Sequence, residues 1–453
     1  MHSSHEKRNF TAGDYLKFIV PSVIGVLLLM FPIRLEGQTT ILVAMLAGKL
    51  TGLLEPILPT IILIVIAISG IMAVIYRFFK PDFIENSEIL KSLFKVSDFW
   101  IAARIVGLIL CALVYFEIGP EFIWSGDTGG LILYDLILGL FSIFLFAGFI
   151  LPFLTDFGLL EFIGAIITPV MRPIFQLPGR SAIDCIASWV GDGTIGVVIT
   201  NKQYEEGYYS TKEASVIATT FSAVSITFCL VVLNQVGLTH LFGPYYLAVT
   251  LAGVIAAIIM PRIPPLSRKP HNYYTGEKKD LGEDIPKGFT TVSWGAHLAI
   301  SRAEQGMNVK QFVTNGITTV LDMWIGVMPV IMAFGTIALI IAEATPVFVW
   351  LGKPFIPILN LLRVPYAVEA SQTMVVGFAD MFLPAVIGAT IPNEMTRFIV
   401  AAVSVTQLVY LSEVGAVILG SRIPVSLGEL FIIFIERTLI TLPIVTIIAH
   451  LIF

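Results

Sequence analysis

Five carboxylates interrupt apolar stretches of the sequence, and carboxylates are the side chains best suited to bind a cation inside a membrane. Asp184 and Asp192 fall in one interrupted stretch, Glu369 and Asp380 fall in another, and Glu413 follows further on. A charge at the bilayer centre costs about 2.5 to 3.5 kcal/mol on insertion scales, so an acid there usually has a function. We expect Asp192, Asp380 and Glu413 to bind a coupling cation, Na⁺ or H⁺, and Asp184 to be structural.

Polar side chains beside these acids are suited to hold a small solute. The expected substrate-binding residues are Ser188, Asp192, Gln372, Thr373 and Asp380. A structural alternative stays open for the acids. Each acid would then cap a half-helix or form an ion pair with a nearby arginine, the available ones being Arg180, Arg363, Arg397 and Arg422.

Other chemistry has little support in the sequence. Cys111, Cys185 and Cys229 stand singly, without the spacing of a disulfide framework or a zinc site. The motifs HExxH, GxSxG and GxxxxGK[ST] are absent, so we expect no enzyme, no cofactor and no metal centre. The absence of a Cys, Met or His cluster disfavours a metal-ion permease. A net charge of −5 gives no indication of nucleic-acid binding.

The composition requires a lipid environment. Hydrophobic residues make up 56% of the chain and charged residues 13%, with a mean hydropathy of +0.89. Soluble domains carry about 25% charged residues. We therefore predict an all-α polytopic membrane protein with about nine to eleven spanning helices plus two broken or re-entrant hairpins, in an inverted repeat.

The predicted spans follow from stretches near the length needed to cross a bilayer. Clear candidates are 18–33, 56–78, 99–118, 131–154, 213–236, 245–260, 312–342, 394–419 and 430–452. Shorter or interrupted stretches, expected to be re-entrant or interfacial, are 39–54, 159–175, 182–199, 347–362 and 366–391.

Lysine and arginine in short loops predict the orientation, because they favour the cytoplasmic side. They place the N-terminus and a polar linker inside the cell and the loop 119–130 outside. The linker would carry a short surface helix over 293–302. The predicted organisation is N-terminal helices at 1–130, a first repeat at 131–260, the linker at 261–311 and a second repeat at 312–453.

The two repeats echo each other around their breaks. In each, a span is followed by a short apolar helix, a proline-containing turn and a broken segment, holding Gly191-Asp192-Gly193 or Gly377 to Asp380. A long helix opening with Glu213 or Glu394 comes next. Counting crossings makes the repeats inverted, although Lys353 and Arg363 would then fall outside, against the charge rule. Inverted repeats with discontinuous helices are typical of secondary transporters.

Several motifs in the first repeat resemble a known family. They are FILPFL at 149–154, GLLEFI at 158–163, TPVMRP at 168–173, LPGRSA at 177–182 and GDG at 191–193. This run resembles the nucleoside-recognition or Gate domain shared by concentrative nucleoside transporters and ferrous-iron permeases, and the chain looks most like the YjiH branch. The hairpin signature of nucleoside transporters is present only in scrambled form at 369–373.

The resemblance implies a multi-pass protein of the bacterial inner membrane that carries a small solute. We expect a cation-coupled secondary transporter for a small polar organic molecule such as a nucleoside, base or peptide-like compound, bound between the repeats. The alternative is a non-transporting membrane subunit or channel half that works only with a partner. Expected partners are membrane lipid, the solute, Na⁺ or H⁺, and a second copy or another Gate-type membrane protein.

Overall fold

The computed structural model describes the chain from Phe10 to Phe453, except positions 30, 36, 37, 192, 222, 223, 225, 282, 284, 287 and 307. The predicted site residue Asp192 therefore lies outside the described residues.

Long apolar helices dominate the described part of the chain and confirm the prediction of a helical, polytopic membrane protein. Seven of them are long and apolar enough to cross a membrane: Ala12–Leu29, Leu58–Phe79, Asp98–Tyr115, Leu131–Thr155, Thr239–Arg262, Val309–Ala344 and Leu427–Ile452. The predicted number of nine to eleven includes stretches that fold as shorter or broken helices. A short antiparallel pair, Pro32–Leu35 with Gln38–Ile41, adds two small strands to this helical fold.

Shorter helices complete the N-terminal third and the loops. They are Leu42–Leu54, Asp82–Glu85, Glu88–Phe94, Glu121–Trp124, Leu159–Phe175, Thr291–Gln305, Val347–Gly352 and Ile356–Leu361. Single turns of 3₁₀-helix lie at Thr239–Leu241, Met260–Arg262, Leu266–Arg268 and Lys353–Phe355.

Each half contains one hairpin followed by one broken helix. The first hairpin consists of Ser181–Ile186, a π-helical turn at Ala187–Gly191, and Gly193–Glu205. The second hairpin consists of Ala367–Val376 and Leu383–Gly388. The first broken helix consists of Thr211–Val216, a π-helical turn at Ile217–Phe221, and Ile226–Gln235. The second broken helix consists of Glu394–Thr406 and Val414–Gly420.

The remaining elements of each half also correspond. Each half opens with a long helix that contains a π-helical segment, at Leu131–Ile137 or Asp322–Val327. Each closes with a spanning helix, Phe242–Ile259 in the first half and Leu427–Ile452 in the second. The internal repeat is thus visible in the order of its elements, whereas its inverted orientation stays a prediction.

The prediction of two continuous spans at 213–236 and 394–419 is wrong. The second of these stops at Thr406 and resumes at Val414, with Leu408 in the left-handed backbone region at φ 61°. The intervening backbone bonds to the second hairpin instead of to its own helix, since Leu411 N donates to Phe378 O at 2.8 Å and Ser412 N to Ala379 O at 2.9 Å. A helix break inside a membrane is tolerated when its backbone groups form hydrogen bonds with distant partners of this kind.

One glycine permits the close crossing between the N-terminal helices and the second repeat. A Cβ at Gly107 would lie 2.1 Å from the carbonyl oxygen of Pro329, so Asp98–Tyr115 approaches Met328–Ala344 backbone to backbone. Small residues allow such close approach between membrane helices. This crossing ties the N-terminal helices to the second repeat.

The linker packs against the turn that joins the first hairpin to the first broken helix. Thr211 N donates to Asn272 O at 2.8 Å, and Lys279 N donates to Gly207 O at 3.1 Å. Lys269 forms an ion pair of 2.7 Å with Glu429 at the start of the last helix. The surface helix predicted at 293–302 extends over Thr291–Gln305. The linker therefore covers one end of both repeats.

Candidate functional site: two helix breaks and an intramembrane arginine

Asp380 lies in the gap between the two helices of the second hairpin and is half-buried. Its Oδ1 accepts hydrogen bonds from the backbone N–H groups of Phe382 at 2.8 Å and Leu383 at 3.3 Å, where the next helix begins. Its Oδ2 accepts a bond of 2.6 Å from the Ser412 hydroxyl in the second broken helix. Asp380 thus caps one half-helix while connecting two breaks.

Glu413 lies in the break of the second broken helix, not deep within a continuous helix as predicted. It directly precedes Val414, and its Oε2 accepts a bond of 2.9 Å from the Tyr410 hydroxyl. Because Ser412 bonds to Asp380, the adjacent Glu413 belongs to the same junction. Glu413 is thus one residue along the chain from the serine that bonds to Asp380.

The first hairpin reaches this junction at Gly193. A Cβ at Gly193 would lie 3.1 Å from Cγ2 of Val414, which directly follows Glu413. Gly193 begins the second arm of the first hairpin. The first hairpin therefore contacts the break of the second broken helix.

Ser188 is fully buried and packs inside its own hairpin. A Cβ at Gly196 would lie 1.8 Å from the Ser188 Oγ, so this hydroxyl fills the space between the two arms. Its burial makes it a part of the hairpin's packing as well as a predicted contact for the solute.

Gln372 and Thr373 lie on the first arm of the second hairpin, more than one turn before its break. The Thr373 hydroxyl donates to Ala370 O of the same helix at 2.7 Å. The Cα of Gln372 lies 3.2 Å from where a Cβ at Gly352 would stand, so this part of the arm packs against Val347–Gly352. These two residues are not joined to Asp380 by a hydrogen bond among the contacts of the described chain.

Asp184, which we expected to be structural, is buried within the first hairpin. It is only 1% exposed and accepts bonds from the Thr200 hydroxyl at 2.8 Å and the Tyr209 hydroxyl at 3.2 Å. These bonds join the two arms of the first hairpin to the turn that follows them.

Three of the four arginines considered as partners for the five acids form ion pairs with other acids. Arg180 pairs with Glu161 at 3.5 Å, Arg397 with Glu394 at 3.6 Å and Arg422 with Glu205 at 3.7 Å.

Arg437 is a central residue that the sequence analysis missed. It is 1% exposed near the middle of the 26-residue helix Leu427–Ile452. Its Nε and Nη2 donate to Thr406 O at 3.0 and 2.7 Å, and its Nη1 donates to Thr220 O at 3.1 Å. Thr406 ends the first half of the second broken helix, and Thr220 lies at the corresponding place in the first. The signal that could have identified this residue in the sequence is an arginine inside a long apolar span.

A cavity of about 160 Å³ lies beside Arg437. Its walls are mainly apolar and aromatic, and they include Phe175, Trp189 and Phe221. Thr220, Thr406 and Leu408 also line it, so both broken helices contribute. The cavity thus adjoins the break that contains Glu413, at the opposite end of that break.

A second group of charges, also missed in the sequence, joins the N-terminal helices to both repeats. Arg104, Glu205, Asp322 and Arg422 line a cavity of about 50 Å³. Arg104, on the helix Asp98–Tyr115, donates to Leu93 O at 2.8 Å. Metal-binding groups of three or more His, Cys, Asp or Glu residues do not occur among the residues that the structure describes.

Comparison with known proteins identifies the first repeat. The Gate family, described as nucleoside recognition, matches residues 137–239, which span the first hairpin and the first broken helix. Over 447 residues the chain is 50% identical to an uncharacterised protein of Alkalihalophilus pseudofirmus, covering 99% of this chain and 96% of that protein. No solved structure matches the chain.

Proposed function

This chain belongs to the family of membrane proteins that carry the nucleoside-recognition (Gate) domain, and on that premise we propose that it is a cation-coupled secondary transporter. Its substrate is a small polar organic solute such as a nucleoside, a base or a peptide-like compound. Its membrane is the bacterial inner membrane.

The observation that carries the proposal is the meeting of helix breaks from both repeats. Arg437 bonds to Thr220 O in one broken helix and to Thr406 O in the other, and Gly193 of the first hairpin lies against Val414. Half-helix ends near mid-membrane leave backbone groups that a polar solute or ion can satisfy. In secondary transporters such ends form the substrate and ion sites.

Cation binding is the role that we propose for the acids at this junction. Asp380 and Glu413 would supply carboxylate oxygens from two neighbouring breaks, and Asp192, which lies outside the described residues, is the third acid that we propose for this role. Hard cations such as Na⁺ are bound by oxygen ligands. Cation binding would then hold the second hairpin to the second broken helix, and its release would let one repeat move against the other.

The solute would contact both hairpins. Ser188 and Asp192 lie on the first, and Gln372, Thr373 and Asp380 lie on the second. Because Ser188 and Thr373 are buried in the present arrangement, the hairpins must separate slightly for these hydroxyls to reach a ligand. This requirement agrees with a mechanism in which one repeat moves.

Uptake by the purified protein tests the proposal. The protein is placed alone in liposomes, and uptake of radiolabelled nucleosides, bases, amino acids and dipeptides is measured with and without a Na⁺ or H⁺ gradient. Gradient-driven uptake of one class is the expected result. No uptake of any class, with uptake restored by a second Gate-type protein, would support the non-transporting subunit instead.

Substitutions then locate the solute. Ser188→Ala and Gln372→Asn should each weaken binding in a thermal-shift assay, because a bound ligand stabilises the folded protein by mass action. The dependence on cation concentration should stay unchanged. Full-strength binding in the double variant would place the solute elsewhere and leave both residues as packing groups.

A further inference from the structure

Arg437 carries a full positive charge that, in the described part of the chain, has no acidic partner. Its contacts are the two backbone carbonyls of Thr406 and Thr220. Each carbonyl ends or nearly ends a helical segment, where the aligned peptide dipoles amount to roughly half a negative charge. These partial charges explain how the arginine is tolerated at this depth.

The guanidinium group has more donors than these carbonyls use. An arginine carries five N–H groups. The Nε–H group and one N–H group on each Nη take part in the described bonds. One N–H on each Nη is therefore not used by these bonds, and unused guanidinium N–H groups can donate to a carboxylate.

The cavity beside Arg437 has the size and character for a small ring. Its volume is about 160 Å³. An apolar cavity of about 150 Å³ in another protein binds benzene. Phe175, Trp189 and Phe221 supply aromatic walls, and Val254, which is 44% exposed, connects the cavity with the protein surface.

We propose that this cavity binds a small organic anion with one ring-sized apolar body and one carboxylate, which Arg437 holds. The apolar body would fill the aromatic part, and the carboxylate would accept the unused N–H groups. Bound there, the anion would contact the ends of both broken helices. The proposal does not depend on transport, because the cavity and the arginine are present whatever the protein carries.

Gly253 allows the cavity to be filled without disturbing Arg437. It lines the cavity, and a Cβ at this position would meet no atom within 4 Å. Gly243 on the same helix also has open space but does not line the cavity. Gly253→Leu and Gly243→Leu are therefore a matched pair that should fold equally well.

The experiment uses benzoate and its neutral analogue benzamide as probes, with isothermal calorimetry and thermal shift on the full chain in detergent. Benzoate should bind at least about tenfold more tightly than benzamide. Gly253→Leu should weaken benzoate binding by about tenfold or more, whereas Gly243→Leu should leave it unchanged. Arg437→Gln should remove the preference for the anion.

Two results would overturn the proposal. If benzamide bound as tightly as benzoate, the negative charge of the ligand would not contribute to binding. If Gly253→Leu bound benzoate at full strength, the anion would lie outside this cavity. Repeating the titration in phosphatidylcholine nanodiscs with and without oleate separates two sources of the carboxylate. Competition by oleate identifies a membrane fatty acid, and its absence identifies a soluble acid.

Discussion

Removal of the Ser412 hydroxyl should uncouple the second hairpin from the second broken helix. This hydroxyl donates to Oδ2 of Asp380 at 2.6 Å, and it lies in a residue that is 2% exposed. A hydrogen bond to a charged group contributes about 1.5 to 3 kcal/mol. We therefore expect Ser412→Ala to lower the free energy of unfolding by that amount.

Ser404→Ala is the matched control for this substitution. Ser404 is also 2% exposed and lies in the same broken helix, but its hydroxyl donates to Ala401 O of its own helix at 2.9 Å. A hydroxyl that bonds back to its helix adds little stability, so the expected cost is about 1 kcal/mol or less. The difference between the two serines isolates the bond that crosses from one element to another.

Unfolding by SDS titration in mild detergent measures both variants, and a double-mutant cycle with Asp380→Asn measures the coupling. Residues in direct contact show coupling energies of about 0.5 to 3 kcal/mol. We expect Ser412 and Asp380 to couple by at least about 1 kcal/mol, and Ser404 and Asp380 not to couple. Equal effects of the two serine substitutions, or additive effects with Asp380→Asn, would refute the account of this junction.

Three further predictions concern orientation, ion coupling and packing. Ser125→Cys should react with a membrane-impermeant thiol reagent in intact cells and Thr275→Cys should not; the reverse pattern would exclude the inverted arrangement. Glu413→Gln should insert normally but lose gradient-driven transport, since its carboxylate is removed, and collapse of its expression would indicate a buried structural acid instead. Gly107→Ala should destabilise the protein by about 1 to 3 kcal/mol in the same SDS titration because its Cβ would stand 2.1 Å from a backbone oxygen, whereas Gly139→Ala, with open space around it, should be close to neutral.

The sequence alone determines that this is a helical membrane protein with a break in each half. The excess of apolar residues admits no other solvent, and Gly191 and Gly377 mark stretches where polar groups interrupt the apolar pattern. These are local properties of the chain. The hairpins at Ser181–Glu205 and Ala367–Gly388 accordingly fall where they were expected.

Only the tertiary structure decided where the following helices break. Between Thr406 and Val414 the sequence mixes apolar residues with Gln407, Ser412 and Glu413, and the helix stops where Phe378 and Ala379 supply acceptors for its backbone. Those partners are about thirty residues away along the chain, and the hydrophobic periodicity of the sequence does not indicate them. A local pattern can show that a segment tolerates lipid, but it cannot show which backbone groups will be satisfied from elsewhere.

The same reason explains the role of Arg437. Its presence in an apolar span was visible in the sequence, but the carbonyls of Thr220 and Thr406 that it holds belong to two different repeats. They come within reach only when both helices have broken and packed against Leu427–Ile452. The composition of the chain thus determines that it is a membrane protein. The position of the candidate site depends on the pairing of distant helix ends, which only folding brings together.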